Sequence, residues 1–111
     1  MTWMDLKIDG VADIEKIIGE YDIGEILKTP WGKFRVKVYQ KQDGTYDAIT
    51  NLMYIDETGY ERGGYGSGKT EEEALESCIK DFLSYLPEDR RLTEKDFSTA
   101  DPYDFWNIEI L

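Results

Sequence analysis

The sequence contains no histidine and a single cysteine, Cys78. Without histidine the chain has no Ser–His or Cys–His nucleophile, and it lacks the ligand found in most zinc sites. One cysteine cannot form a disulfide within the chain. Because Cys78 stands among Leu75, Ile79 and Phe82 at helical spacing, we interpret it as a buried structural thiol and not as a nucleophile.

Long apolar runs are also missing. No stretch reaches the roughly 18 apolar residues that a membrane-spanning helix needs. The first residues, MTWMDLKIDG, do not follow the basic-then-apolar pattern of a signal peptide. We therefore expect a cytoplasmic protein that has no membrane partner.

Motifs for catalysis and metal binding are absent as well. The sequence has no D-x-[DN]-x-[DN]-G calcium loop, and no pair of carboxylates is singled out for acid–base catalysis. Asp101 and Asp104 flank Pro102 and Tyr103, where the alternatives are a weak cation site and solvated loop acids. We favour solvated acids, and we predict no enzymatic activity, no metal site and no cofactor.

Negative charge is what the chain has in excess. Its 111 residues include 24 acidic and 13 basic ones, which gives a net charge of −11. Residues 1–25 carry a net −5, residues 26–70 a net +2 and residues 71–111 a net −8. Such a charge either serves solubility alone or attracts a basic partner while repelling nucleic acid and anionic membranes. The length predicts one domain, residues 1–111.

Apolar periodicity predicts a short helix followed by a meander of strands. In VADIEKIIGEY the apolar residues recur at helical spacing, which predicts an N-terminal helix over residues 11–21. KFRVKVYQ alternates apolar and polar residues, which predicts a strand with one buried face. TYDAITNLMYI and YERGGYG predict two further strands. Short turns at residues 29–32, 42–44 and 56–59 favour antiparallel pairing.

The segment TEEEALESCIKDFLSYL predicts the longest helix. Thr70 and Glu73 form a capping box at its start, and Pro87 ends it. Its apolar positions fall on one stripe: Ala74, Leu75, Cys78, Ile79, Phe82, Leu83 and Leu86. A second capping signal lies at residues 93–96, and FWNIEIL alternates like a last strand. The expected fold is α+β, an antiparallel meander of about four or five strands packed by this long helix, with the short N-terminal helix beside it.

The stretch GGYGSGKT, residues 63–70, satisfies the phosphate-binding pattern G-x-x-x-x-G-K-[ST]. A phosphate site of this kind needs a buried parallel strand before the helix, whereas here a short polar segment follows a hairpin. Glu71, Glu72 and Glu73 also stand where the helix would bind the phosphate, and like-charge repulsion disfavours a triphosphate there. We therefore interpret the glycines as a sharp turn from the sheet into the helix, with nucleotide binding as a further alternative.

Basic residues interleaved with a tyrosine occupy one face of a predicted strand. They are Lys33, Arg35, Lys37, Tyr39 and Lys41. Such a face binds single-stranded nucleic acid in some proteins, and in others its bases pair with neighbouring acids. Because both flanks of the chain are acidic, we favour ion pairing and predict no direct nucleic-acid binding.

The segment GYGSGKTEEEALESCIKDFLSYL resembles the junction of HicB-type antitoxins, in which a small meander precedes a Gly-x-Thr-x-Glu-Glu-Ala-Leu helix entrance. The matching positions are Gly68, Thr70, Glu72, Glu73, Ala74 and Leu75. The likeness covers residues 33–86, and it implies binding to a small toxin. The chain differs in having YERGGYG where these antitoxins tend to have a Pro-Gly-Cys-like step, and in having an acidic tail where they often have a DNA-binding unit.

The profile of a small, His-free, strongly acidic α+β domain also resembles inhibitors from phages and mobile elements, such as anti-CRISPR, anti-restriction and toxin-immunity proteins. This resemblance implies that carboxylates take the place of phosphates on a basic enzyme surface. We therefore predict a non-enzymatic protein that inhibits a basic, nucleic-acid-binding partner protein; the alternative is a HicB-like antitoxin or a toxin-immunity protein. The predicted partner-binding residues are Glu71, Glu72, Glu76, Glu88, Asp89, Asp101, Asp104 and Tyr103.

Overall fold

A computed structural model describes residues 2–99 of the chain. They form a five-stranded antiparallel sheet with one long helix against one of its faces. The elements are β1 (Glu15–Gly24), β2 (Lys33–Lys41), β3 (Tyr46–Ile55), β4 (Glu61–Gly68), α1 (Glu71–Tyr85) and β5 (Phe97–Thr99). Single-turn 3-10 helices lie at Trp3–Asp5 and Glu94–Asp96. The predicted α+β class is confirmed.

Consecutive strands are neighbours in the sheet, in the order β1-β2-β3-β4. The tight turns that the sequence predicts between them are present, and Gly32, Gly44 and Gly59 adopt positive φ angles of 76°, 90° and 85° within these turns. Glycine adopts such angles without the steric cost of a side chain. The pairing of β2 with β3 ends at Val36 and Thr50. β5 pairs with the next part of β3, residues 52–54.

The predicted helix over residues 11–21 is wrong, because residues 15–24 form β1. A β-bulge between Ile17 and Gly19 leaves Ile18 without a partner in β2, and this extra residue interrupts the two-residue alternation of a strand. The apolar residues on either side of the bulge are thereby spaced like those of a helix. Tyr21 pairs with Val36 and therefore lies on the face that α1 covers.

The core lies between α1 and the sheet. Phe34, Val36 and Val38 line it from β2, as the alternation of KFRVKVYQ predicts, and the ring of Phe34 lies 4.8 Å from that of Phe82 on α1. The predicted stripe of α1 is confirmed. Its buried members are Ala74, Cys78, Phe82 and Leu86, and its partly buried members are Leu75, Ile79 and Leu83.

Two predictions concern residues beyond those that the structure describes. The predicted last strand, FWNIEIL, and the predicted site residues Asp101, Tyr103 and Asp104 lie outside residues 2–99. Among residues 2–99, no helix combines the length and the apolar character needed to cross a membrane.

Candidate functional site

The GGYGSGKT segment is the end of a strand followed by a helix cap. β4 runs to Gly68, and Thr70 is the N-cap of α1. The Thr70 hydroxyl oxygen accepts a hydrogen bond from the backbone N–H of Glu73 at 3.1 Å. The Glu73 carboxylate accepts a hydrogen bond from the backbone N–H of Lys69 at 2.9 Å. In the predicted capping box this bond would come from the backbone N–H of Thr70. Side-chain oxygens of this chain therefore occupy backbone donors at the helix entrance, where a phosphate site would need them free.

The glycines of this segment allow α1 to lie close against β4. Gly64, Gly66 and Gly68 all face the helix. A Cβ atom at Gly64 would lie 2.6 Å from the Cβ atom of Phe82, and one at Gly66 would overlap the backbone nitrogen of Cys78. Both separations are shorter than a Cβ contact tolerates, so any larger residue would push the helix away from the sheet.

This packing role differs from the sharp turn that the sequence predicts for the glycines. Glycine alternates with Tyr65 and Ser67 along β4. In a strand such alternation places Gly64, Gly66 and Gly68 on one face and Tyr65 and Ser67 on the other. The alternation is the signal from which the glycine face could have been found.

The acidic residues in the first turns of α1 have different environments. Glu71 is half-buried, and its carboxylate accepts a hydrogen bond from the hydroxyl of Tyr21 on β1. This bond, together with partial burial, raises the pKa of Tyr21. Glu72 and Glu76 are exposed, and Glu76 lies 2.6 Å from the ammonium group of Lys80. Of the predicted partner-binding residues on α1, Glu72 and Glu76 are accessible to a partner, whereas Glu71 ties the helix to the sheet.

An exposed tyrosine lies beside these acids. Tyr65 is 52% exposed. Its hydroxyl donates to Asp47 at 3.1 Å, and its backbone N–H donates to Asp81 at 3.0 Å. Two open depressions of the surface share Tyr65 and Glu73. We call this region the acidic surface, and it consists of Tyr65 and four acids: Asp47, Glu73, Glu76 and Asp81. Lys41, Lys69 and Lys80 line the same depressions.

The contacts of Tyr65 hold it in one orientation. Partial burial and the hydrogen bond to Asp47 raise the pKa of the Tyr65 hydroxyl, so the ring is neutral at physiological pH. Asp81 also accepts a hydrogen bond from the hydroxyl of Tyr85 at 3.1 Å. Since β4 is an edge strand, Asp81 additionally satisfies a backbone donor at that edge. Asp47, Tyr65 and Asp81 are absent from the residues predicted from the sequence, because only folding brings β3, β4 and α1 together.

Glu88 and Asp89 lie apart from the acidic surface. They follow the C-terminal end of α1, and the last helical residue, Tyr85, lies roughly 18 Å from Glu73 along the helix axis at 1.5 Å per residue. The Glu88 side chain is 89% exposed, and its carboxylate lies 4.0 Å from the ammonium group of Lys28. The structure therefore divides the predicted acids of residues 2–99 between the two ends of α1.

The basic face of β2 is paired with acids, as the sequence predicts. Arg35 and Lys33 lie 2.9 and 3.7 Å from Asp22 on β1, Lys37 lies 3.6 Å from Glu20, and Lys41 lies 4.0 Å from Asp47 on β3. The hydrogen bond from Arg35 lowers the pKa of Asp22. Cross-strand acids thus neutralise charge along this strand.

Cys78 is fully buried on the side of α1 that faces the sheet, which confirms the predicted buried thiol. Burial raises its pKa to about 12, so the reactive thiolate is scarce at neutral pH. Over residues 2–99, no three potential metal ligands of the His, Cys, Asp and Glu types cluster in a geometry that could hold an ion.

Comparison of the chain with protein-family models, with curated proteins and with solved structures finds no match.

Proposed function

We propose that this protein is a non-enzymatic acidic binding protein that inhibits a basic partner protein. The partner is of the nucleic-acid-binding class, and the carboxylates take the place of phosphates on its basic surface, as in anti-CRISPR or anti-restriction proteins. The observation that carries the proposal is the acidic surface, where four carboxylates surround an exposed and oriented tyrosine.

Two of the four acids, Glu73 and Glu76, are exposed to a partner, whereas Asp47 and Asp81 are partly buried and hydrogen-bonded within the chain. Glu73 and Asp81 form no ion pair among residues 2–99, and neither does the neighbouring Glu72. Glu76 pairs with Lys80 at the surface, and such an exposed ion pair contributes only about 0–1 kcal/mol and exchanges readily. A partner arginine or lysine can therefore replace Lys80, whereas the pair of Asp47 with Lys41 is partly buried.

Tyr65 supplies the apolar component that an interface needs. Tyrosine is enriched at interface hot spots because its ring buries a large area while its hydroxyl remains hydrogen-bonded. Here Asp47 already orients the hydroxyl, so little side-chain freedom is lost on binding. The exposed ring is also suited to a cation–π contact with an arginine of the partner.

The test is binding to the partner under varied salt, with charge reversals at the surface. The tagged protein is used to capture partners from an extract of its own cells at about 50 mM and about 300 mM NaCl, and captured proteins are identified by mass spectrometry. We expect a basic protein that is lost at the higher salt, because screening weakens exposed charge pairs. The double variant Glu72→Lys, Glu76→Lys reverses one acid of the surface and one exposed neighbour, and it should weaken the binding at least tenfold.

The matched control reverses two acids away from the acidic surface, Glu57→Lys with Glu94→Lys. Both residues are exposed, and the control has the same net charge as the test variant. If the control variant weakens binding by twofold or less, the loss of binding in the test variant is due to the acidic surface and not to the total charge. A complex that is indifferent to salt and to both double variants would contradict the proposal.

A HicB-like antitoxin is the second candidate. The order β2, β3, β4, α1 over residues 33–85 supports it, because the same order of meander and helix underlies the resemblance in the sequence. Under this function the purified protein would bind one small toxin and would shift DNA carrying its own promoter in a gel assay. The acidic inhibitor predicts no shift of that DNA.

A further inference from the structure

Two large aliphatic side chains protrude from the loop between β1 and β2. Ile26 is 83% exposed and Leu27 is 84% exposed, the highest values among the large apolar residues of the described chain. Trp31, in the same loop, is 47% exposed. Isolated exposed apolar residues are ordinary on a protein surface, but adjacent ones form a patch that calls for an explanation. We call Ile26 and Leu27 the apolar tip.

The backbone of the loop is fixed by Glu25. Its carboxylate accepts hydrogen bonds from the backbone N–H groups of Leu27, Lys28 and Thr29 at 3.2, 2.8 and 2.8 Å. The Thr29 hydroxyl donates to the carbonyl oxygen of Glu25, and the N–H of Glu25 donates to the carbonyl oxygen of Gly32 at 2.9 Å. The buried Thr29 closes the loop on the inside, so the apolar tip is presented outward on an ordered backbone.

Two contacts attach the loop to the rest of the molecule. Lys28 pairs with Glu88 beyond the end of α1 at 4.0 Å, and the ring of Trp31 lies edge-on to that of Phe97 with 5.7 Å between the ring centres. The tip is therefore preorganised. Burying it against a partner would cost little conformational entropy, which is the usual property of an interface anchor.

Charge decides which kind of surface the tip fits. The whole chain has a net charge of −11. Beside the loop, the exposed Glu88 and Asp89 are offset by Lys28, which pairs with Glu88, and by Arg90 and Arg91, which follow them in the chain. A second copy of the chain would bring like charges together, and anionic lipid would be repelled. Two side chains are also far less than the roughly 800 Å² per partner that a stable dimer buries. The complementary surface is an apolar pocket on a basic protein.

We propose that Ile26 and Leu27 insert into an apolar pocket of the basic partner, and that Glu88 pairs with a lysine or arginine at the rim of this pocket. The inference rests on the proposed function, because it assigns a second contact to the same partner. The interface then extends along α1 from the acidic surface at one end to the apolar tip at the other.

The test uses the double variant Ile26→Ser, Leu27→Ser and a matched control, Ile8→Ser with Val11→Ser. The control residues are 56% and 46% exposed and lie in the N-terminal segment. The basic protein captured by the wild type at low salt is purified, and its dissociation constant is measured for each variant by calorimetry. Thermal melts establish that all variants are folded.

We expect the tip variant to bind at least tenfold more weakly and the control to bind within twofold of the wild type. Glu88→Lys should weaken binding at about 50 mM NaCl and have less effect at about 300 mM, because its contribution is screened. If the tip variant binds the basic partner as tightly as the wild type, the inference is overturned while the proposed function stands. If the wild type captures no basic protein, both are overturned.

Two further measurements distinguish the other occupants. Phosphatidylcholine vesicles that bind the wild type and not the tip variant would assign the tip to lipid. A dimer seen by light scattering for the wild type and lost in the tip variant would assign it to a second copy. Either result would overturn the inference.

Discussion

At the scale of single residues, the glycines of β4 have the largest structural consequence. A Cβ atom at Gly66 would overlap the backbone nitrogen of Cys78 and lie 2.5 Å from the carbonyl oxygen of Ala74. Both atoms belong to the α1 backbone, so no side-chain rotation relieves the overlap. We expect Gly66→Ala to lower the free energy of unfolding by about 3 kcal/mol, as overpacking against a rigid neighbour does, measured by urea denaturation.

The control for this prediction is Gly24→Ala at the end of β1. A Cβ atom there meets no heavy atom within 4 Å, and the residue does not have a positive φ angle. Its effect should stay within about 0.5 kcal/mol. Equal stabilities of the two variants would contradict the close approach of α1 to β4.

The sequence predicts residue roles unevenly, for a physical reason. Cys78 and the stripe of α1 are predictable because their burial follows from spacing along one helix. The need for glycine at Gly64 and Gly66 depends on how near a separate element approaches, although the alternation along β4 hints at it. The neighbours of Tyr65 depend on three elements meeting, and no local pattern encodes that meeting.

At the scale of elements, β1 shows where apolar periodicity fails to predict secondary structure, because it predicts a helix in place of this strand. Its β-bulge at Ile18 inserts one residue, and this changes the spacing of the apolar side chains from that of a strand to that of a helix. The turns are more reliable, because Asp-Gly in one turn and Thr-Gly in the next supply the positive φ angle directly. The meander is therefore predictable from its turns even where strand periodicity fails.

The turn between β3 and β4 provides a pH-dependent test. The Asp56 carboxylate accepts hydrogen bonds from the Thr58 hydroxyl at 2.6 Å, from the Tyr60 backbone N–H at 3.0 Å and from the Arg62 guanidinium at 3.1 Å. These bonds, the Thr58 hydroxyl first, lower the pKa of Asp56 from 3.8 to about 2. Because the folded-state pKa is depressed, the carboxylate stabilises the fold above its ordinary pKa. That contribution is lost as the pH falls through about 2.

We therefore expect Asp56→Asn to be less stable than the wild type in urea denaturation at about pH 6, with the difference shrinking from about pH 4 towards pH 2. Glu57→Gln in the same turn is the control. Glu57 is exposed and makes no hydrogen bond among residues 2–99, so it should leave stability close to that of the wild type at both ends of the range. A difference for Asp56→Asn that is constant with pH would contradict the assigned role of the carboxylate.

At the scale of the whole molecule, the acids outnumber the bases, and most of the bases are already paired with acids of the chain. Eight of the basic residues form ion pairs within residues 2–99. Many acids on α1 and in the turns form none there, Glu72 and Asp89 among them. The excess negative charge follows from composition alone, and the predicted bounds of α1 already place acids before and after this helix. The contacts of Asp47 and Asp81 with Tyr65 follow only from the fold. The proposed interface therefore spans both ends of α1.

The same charge distribution predicts how salt changes stability. Like charges repel within the compact state, and this repulsion relaxes when the chain unfolds. At about 0.2 M NaCl the screening length falls below 10 Å, which weakens the repulsion more than the short ion pairs. We expect the melting temperature to rise by about 5 °C between about 10 mM and about 200 mM NaCl, corresponding to roughly 1 kcal/mol.

The variant Glu72→Lys, Asp89→Lys tests the cause of this rise. Both residues are exposed and lie outside the ion pairs of residues 2–99, so the substitutions reduce the negative charge without breaking a contact. Their salt-dependent rise should be smaller than that of the wild type, because less repulsion remains to be screened. A melting temperature that falls with salt would mean that the ion pairs outweigh the repulsion. That outcome would weigh against the proposed contact with a basic partner, because this contact needs negative charge that the chain's own bases do not offset.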